Sequence, residues 1–172
     1  TAGGTAPTNT ITISNNIIGG VSMTVSGAPA TPPSVRGISF QGTTAGSNYI
    51  ISGNTVGSTT LANSITGDGN LAGSVIGIVS FSNALGQVIS NNTIANLTAS
   101  NPGTLNVMWG ILPQGTGNIG TFTITGNTIR DLSSGSGVTG TGGAASIMGI
   151  SILTTLSTGG TNTISQNTIH SL

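Results

Sequence analysis

The chain has 172 residues and zero formal net charge, with two Lys or Arg, two Asp or Glu, one His and no Cys. Its only fixed charges are Arg36, Arg130, Asp68 and Asp131, too few to neutralise a phosphate backbone or grip an anionic bilayer, so electrostatic nucleic-acid binding and a polybasic membrane patch are excluded. The longest apolar run, Val75 to Val79, is far too short to span a bilayer, so membrane insertion is not expected.

In chain order the first segment ends on Ile13-Ser14-Asn15-Asn16-Ile17-Ile18, and the same motif returns at regular intervals. The copies are Ile51-Ser52-Gly53-Asn54-Thr55-Val56, Ile89-Ser90-Asn91-Asn92-Thr93-Ile94, Ile124-Thr125-Gly126-Asn127-Thr128-Ile129 and Ile164-Ser165-Gln166-Asn167-Thr168-Ile169. The second Asn stands at 16, 54, 92, 127 and 167, so successive spacings are 38, 38, 35 and 40. Between these copies a second motif keeps the same beat: Val35-Arg36-Gly37-Ile38, Val75-Ile76-Gly77-Ile78, Met108-Trp109-Gly110-Ile111 and Ile147-Met148-Gly149-Ile150. A fixed period of this size marks a stack of equivalent units.

β-branched residues, Gly and Thr fill every segment, and no window carries an apolar stripe at helical spacing, so the chain reads as all-β. Three short strands are expected per repeat. The first carries the Gly-Ile pair, with Gly37, Gly77, Gly110 and Gly149 in one column. The second ends on Ile13, Ile51, Ile89, Ile124 and Ile164. The third follows the motif Asn and closes at Val21, Thr59, Leu97, Leu132 and Leu172. Residues 1–172 then form a single domain, a parallel β-helix or β-solenoid of about four to five coils of roughly 38 residues. Its interior holds an Ile ladder, and Asn16, Asn54, Asn92, Asn127 and Asn167 stack at the bend between second and third strands, where amides bond one another and the backbone. The length left over in each repeat is assigned to an excursion between third and first strands.

These motifs resemble the parallel β-helix repeats of the pectate-lyase-like superfamily. They resemble more closely the Gly/Ser/Thr/Asn-rich repeats of very large secreted or surface proteins of bacteria, in which I-S-x-N-T-I-x-x-L alternates with a Gly-Ile strand. The resemblance covers about Ile11 to Leu172. It implies a parallel solenoid and an extracellular or cell-surface setting. The 38-residue repeat is longer than the usual coil of that superfamily, which is a departure from its pattern.

Enzymes on such folds use clustered carboxylates. Here Asp68 is expected in a connection, Thr66-Gly67-Asp68-Gly69-Asn70, and Asp131 after the third strand of the fourth repeat, about two repeats away. No catalytic, cofactor-binding or metal residue is therefore assigned, and no cofactor is expected. In register, Arg130 and His170 share a column after Gly19, Gly57 and Ala95, while Asp131 shares the next with Gly20, Ser58, Asn96 and Ser171. Arg130, Asp131 and His170 are thus a candidate surface patch. Trp109 falls in one column with Arg36, Ile76 and Met148 and reads as a packed position rather than a sugar platform. The first strand reads as apolar on both faces, covered by the excursion or by a neighbouring chain.

Three functions fit this reading. The leading one is a non-catalytic building block of an extracellular fibre, stalk or adhesin, a filament subunit or a piece of a longer array. Its partners would be other copies, stacked head to tail as a homo-oligomer, or flanking repeats of the same chain. The chain opens on Thr1 rather than Met, which suits a processed product or a piece of a longer polypeptide. The alternative is an ice-binding solenoid, on the pairs Thr12/Ser14, Ile50/Ser52, Val88/Ser90, Thr123/Thr125 and Thr163/Ser165. The third is a carbohydrate-binding or polysaccharide-degrading protein, which the carboxylate count disfavours.

Overall fold

The computed structural model describes residues 9–24, 34–41, 48–68, 74–81, 86–100, 107–115, 119–135, 147–153 and 156–172. Every regular element among them is a strand, and every strand pairing is parallel. Parallel neighbours cannot be joined by hairpins, so the chain must leave one sheet before it can add a strand to it. It does so by visiting three sheets in rotation.

β1 (Thr10–Ser14) opens the second sheet, and β2 (Ile17–Ile18) and β3 (Val21–Thr24) lie in the third. β4 (Ser34–Phe40) begins the first sheet, β5 (Asn48–Ser52) returns to the second, and β6 (Thr55–Gly57) and β7 (Ile65–Asp68) to the third. The rotation repeats with β8 (Ser74–Ser80), β9 (Gly86–Ser90) and β10 (Thr93–Ala99), then with β11 (Val107–Pro113), β12 (Ile119–Thr125) and β13 (Thr128–Ser134). It ends with β14 (Ile147–Ile150), β15 (Leu156–Ser165) and β16 (Thr168–His170). The first sheet is ordered β14-β11-β8-β4, the second β1-β5-β9-β12-β15, and the third β16-β13-β10-β6-β2, with β3 and β7 attached through β10.

Like residues pair with like. Ile13, Ile51, Ile89, Ile124 and Ile164 are successive partners in the second sheet. Ile18, Val56, Ile94, Ile129 and Ile169 are partners in the third. Val35, Val75, Met108 and Ile147 are partners in the first. These columns meet in one core that also holds Ile78, Ile111, Phe122 and Leu132. Burial follows position in the stack: Ile89 and Ile124 are enclosed, whereas Ile164 in the last repeat is 51% exposed.

The glycine column has a packing reason. A Cβ built on Gly77 would lie 2.6 Å from Ile94 Cγ2, one on Gly110 2.7 Å from Ile129 Cγ2, and one on Gly149 2.7 Å from Ile169 Cγ2. Gly37 stands in the same relation to Val56. The first sheet therefore approaches the third more closely than any side chain at these positions would allow.

Three sequence expectations are corrected. Leu97 pairs with Leu132 on one side and with Ile65 on the other, and Ile65 pairs with Val21. The closing column thus runs through Ile65, and Thr59 lies outside it, in the loop 58–64 between β6 and β7. Gly57, at φ 85° with Ala95 O pressed against the site of a Cβ, lets the chain leave the sheet there. Asp68 is the last residue of β7, paired with Thr24, not part of a connection. Gly69 and Asn70 lie outside the described residues. Leu172 follows the end of β16 and is exposed.

The first sheet is apolar on both faces in its middle strands. Ile76, Val79 and Leu112 are buried in a small second cluster, with Phe81 and Trp109 against it. The excursion expected to cover them falls largely outside the described residues, which omit 25–33, 69–73, 101–106 and 136–146.

Candidate functional site

Three surfaces concentrate polar chemistry: the corner between second and third sheets, the outward face of the second sheet, and the outer patch around Arg130.

At the corner, the residue before each motif Asn is left-handed: Asn15, Gly53, Asn91, Gly126 and Gln166 have φ between 54° and 66°. That sharp turn carries the chain from one sheet to the next in two residues. The motif Asn that follows supplies the bonds the turn would otherwise lack. Asn54 Nδ2 donates to Ile13 O at 2.9 Å and to Asn92 Oδ1 at 2.9 Å, and the Asn54 backbone N–H donates to the same Oδ1 at 2.9 Å. Asn92 does the same toward Ile51 O and Asn127 Oδ1. Asn127 does so toward Ile89 O and Asn167 Oδ1. Asn54, Asn92 and Asn127 are at most 1% exposed, so these amides satisfy one another where water cannot.

The ladder has a direction. Each Asn donates forward to the next Oδ1 and back to the carbonyl of the previous repeat. Its two ends therefore differ. Asn16 donates to Asn54 Oδ1 and to Ser14 O, while its own Oδ1 accepts no hydrogen bond among the described residues. Asn167 donates back to Ile124 O and has no following Oδ1 among the described residues.

The outward face of the second sheet is built by strand alternation. Its columns are Thr10, Asn48, Gly86, Thr121 and Thr161; Thr12, Ile50, Val88, Thr123 and Thr163; and Ser14, Ser52, Ser90, Thr125 and Ser165. No charged residue stands in any of the three. Thr125 Oγ1 and Ser165 Oγ are 3.1 Å apart. Beyond the corner the third sheet continues with Thr55, Thr93, Thr128 and Thr168.

Around Arg130 the structure joins Arg130 to Asp131 and gives His170 a separate side-chain partner. Arg130 and His170 are strand partners. The Arg130 guanidinium is ion-paired with Asp131 and donates through Nη2 to Thr59 O at 2.7 Å. His170 Nδ1 lies 3.2 Å from Ser171 Oγ. Among the described residues no side-chain hydrogen bond or ion pair joins His170 to Arg130 or Asp131. The column of Asp131 is also corrected: Ser64, not Ser58, stands between Gly20 and Asn96, bonded by Val21 N–H to Ser64 O and Ser64 N–H to Asn96 O. Ser58 instead accepts through its carbonyl from Asn96 Nδ2 at 2.8 Å. Arg130 thus serves as a strut for the loop 58–64.

That loop creates a feature missed in the sequence, an open hollow of about 500 Å³ bordered by Ile17, Gly19, Thr55, Thr59 and Leu61. Ile17 and Leu61 are 85% and 69% exposed. The run Ser58 to Ser64 has no counterpart before Leu97 or Leu132, a difference that shows only once Leu97 is paired with Ile65. Arg36 sits with its guanidinium carbon 5.0 Å from the centre of the Phe81 ring, a cation–π contact on the outer side of the first sheet. Among the described residues no group of three or more His, Cys, Asp or Glu converges, and no helix is long and apolar enough to cross a membrane.

Compared with known protein families, characterised proteins and solved structures, the chain matches none.

Proposed function

We propose that the three sheets are the faces of a parallel β-solenoid, and that the chain is a non-catalytic structural segment of a fibre, stalk or adhesin at the cell surface. The observation that carries this reading is the directional amide ladder, unbroken from Asn16 to Asn167 over an apolar core. Each amide from Asn54 to Asn127 both accepts from one neighbouring repeat and donates to the other. Such an arrangement gives stiffness along one axis, with each repeat touching only its neighbours. The ladder ends are complementary, donor groups on Asn167 facing an acceptor on Asn16, so a second copy added head to tail would continue it. That contact is heterologous and propagates without closing. The apolar columns end likewise in partly or largely exposed side chains, Ile13 at one end and Ile164 at the other. The cell-surface setting rests on the resemblance described above.

Electron microscopy and sedimentation of the purified chain test the proposal. Filaments of one coil's width are expected, and Ile164→Lys, which sets an ammonium on the surface that meets the next copy's Ile13, should abolish them while leaving the inner repeats folded. A chain that sediments as a stable monomer at all concentrations would overturn self-assembly.

A second reading is favoured by one observation, the three outward columns of the second sheet. They form a charge-free array, short hydroxyl and β-branched side chains apart from Asn48 and Gly86, with neighbouring strands ~4.8 Å apart. Such an array suits ordered water or an ice surface. Freezing hysteresis of the chain, lost on Thr123→Lys, distinguishes this reading from the fibre.

A further inference from the structure

The loop 58–64 is fixed at both ends and in its middle. Val21 N–H donates to Ser64 O at 3.1 Å, and Ser64 N–H donates to Asn96 O at 3.0 Å. Asn96 Nδ2 donates to Ser58 O at 2.8 Å, Arg130 Nη2 to Thr59 O at 2.7 Å, and Thr98 Oγ1 to Asn63 Oδ1 at 2.7 Å. Within the loop, Ser58 Oγ accepts from the Leu61 N–H at 2.9 Å. The hollow of about 500 Å³ beside it is therefore preformed, and it lies on the outward side of the third sheet. Its apolar walls come from two repeats. Leu61 forms one, and Ile17 forms the other, the apolar member of an outward column otherwise made of Thr55, Thr93, Thr128 and Thr168. The departure from threonine thus falls at the repeat that faces the loop. Between the walls the floor is Gly19 and Gly20. A Cβ on Gly20 would meet nothing within 4 Å, so the backbone there is open to a ligand. The hydroxyls of Thr55 and Thr59 also border the hollow, and neither makes a hydrogen bond among the described residues. No described residue bordering the hollow carries a charge. The Arg130 guanidinium that braces the loop is already committed to Asp131 and Thr59 O.

We propose that this hollow is a binding site for one uncharged sugar ring, the end residue of a neutral glycan. The apolar walls take the C–H faces of the ring, while the two free hydroxyls and the bare glycine backbone take its hydroxyl groups. An ionic ligand would lose its hydration without gaining a charged partner. An alkyl chain would leave the hydroxyls and peptide groups unpaired. The site goes beyond the fibre reading, which names no ligand, and does not depend on assembly, because Leu61 and Thr55 lie on the side of the stack.

Saturation-transfer NMR titrations of the full chain test it, with the methyl glycosides of glucose, galactose and mannose, each paired with the corresponding uronic acid glycoside. At the efficiency usual for drug-sized ligands, a ring with about a dozen non-hydrogen atoms reaches a Kd of about 1 mM. At least one neutral glycoside should saturate near that value, and its uronic acid counterpart should bind about fivefold more weakly or worse. Leu61→Ser at the exposed loop tip, and Thr55→Val, which keeps the β-branched shape and removes the hydroxyl, should each weaken the neutral sugar about fivefold or more. No saturation by any of the three below about 50 mM, equal affinity for the charged counterpart, or indifference to either substitution would overturn the site. Binding kept by Leu61→Ser but lost on Thr123→Lys would move the sugar to the second sheet and overturn it as well. A chain that forms filaments without binding sugar loses this site alone, and a monomeric chain that binds it as expected loses the fibre reading alone.

Discussion

Asn92→Leu isolates the contribution of the amide ladder. The side chain is 1% exposed. Its Oδ1 accepts from the Asn54 backbone N–H and from Asn54 Nδ2, both at 2.9 Å, and its Nδ2 donates to Ile51 O at 2.9 Å and Asn127 Oδ1 at 3.0 Å. Leucine has a similar volume and none of these groups. The substitution leaves the Asn54 backbone N–H without a partner in a buried turn, and removes one of the bonds of Asn54 Nδ2, which keeps those to Ile13 O and Ser52 O. Asn127 Oδ1 keeps its bond from the Asn92 backbone N–H. A stranded buried polar group costs about 1–3 kcal/mol. Ile51 O also loses its Asn92 donor, and burial of the added apolar surface offsets part of that second loss, so the expected destabilisation is about 2–4 kcal/mol. Asn16→Leu is the internal control. Asn16 is exposed and its Oδ1 accepts no hydrogen bond among the described residues, so its replacement should cost under about 1 kcal/mol. Urea denaturation followed by Trp109 fluorescence and by far-ultraviolet circular dichroism measures both. Asn92→Leu within about 0.5 kcal/mol of the parent, or Asn16→Leu as costly as Asn92→Leu, would refute the account, since 0.5 kcal/mol is the scale of surface changes.

Ile89→Ala should cost about 2–5 kcal/mol and Ile164→Ala under about 1 kcal/mol in the monomer, because the first empties an enclosed site and the second trims a half-exposed one; equal effects in the same denaturation assay would place the ladder wrongly. Gly110→Ala should destabilise by about 1–3 kcal/mol, since its Cβ would sit 2.5 Å from Gly149 O and 2.7 Å from Ile129 Cγ2; an unchanged melting temperature would show that the first sheet can retreat. Arg130→Ala removes the strut to Thr59 O. With the ion pair 24% and 34% exposed, its global cost should stay below about 1 kcal/mol. Hydrogen exchange across residues 58–64 should quicken all the same, and unchanged exchange there would deny Arg130 that role.

The sequence alone carried the period, the recurring strands and the membership of the Gly, Ile and Asn columns, but not of the closing column, where Ile65 replaces Thr59. This was legible because a parallel stack sets residue i against its equivalent in the next repeat, so spatial neighbours are marked by repetition in the text. The Gly, Ile and Asn columns could thus be read from the letters, and four Gly-Ile motifs against five Asn motifs already counted the strands of the sheets. The loop 58–64 was not legible. Gly57-Ser58-Thr59 continues the motif plausibly, and only pairing in space shows that Leu97 skips past Thr59 to Ile65. The partner of Arg130 was hidden for the same reason, since Thr59 reaches it only because the loop folds out over two repeats. Why glycine recurs before Ile was also beyond the sequence, because the residue that demands it, as Ile129 demands Gly110, belongs to another sheet. Repetition along a chain reports contacts between equivalent positions; contacts between unlike positions, across the core or around a corner, are set by the distance between sheets, which only the folded chain has.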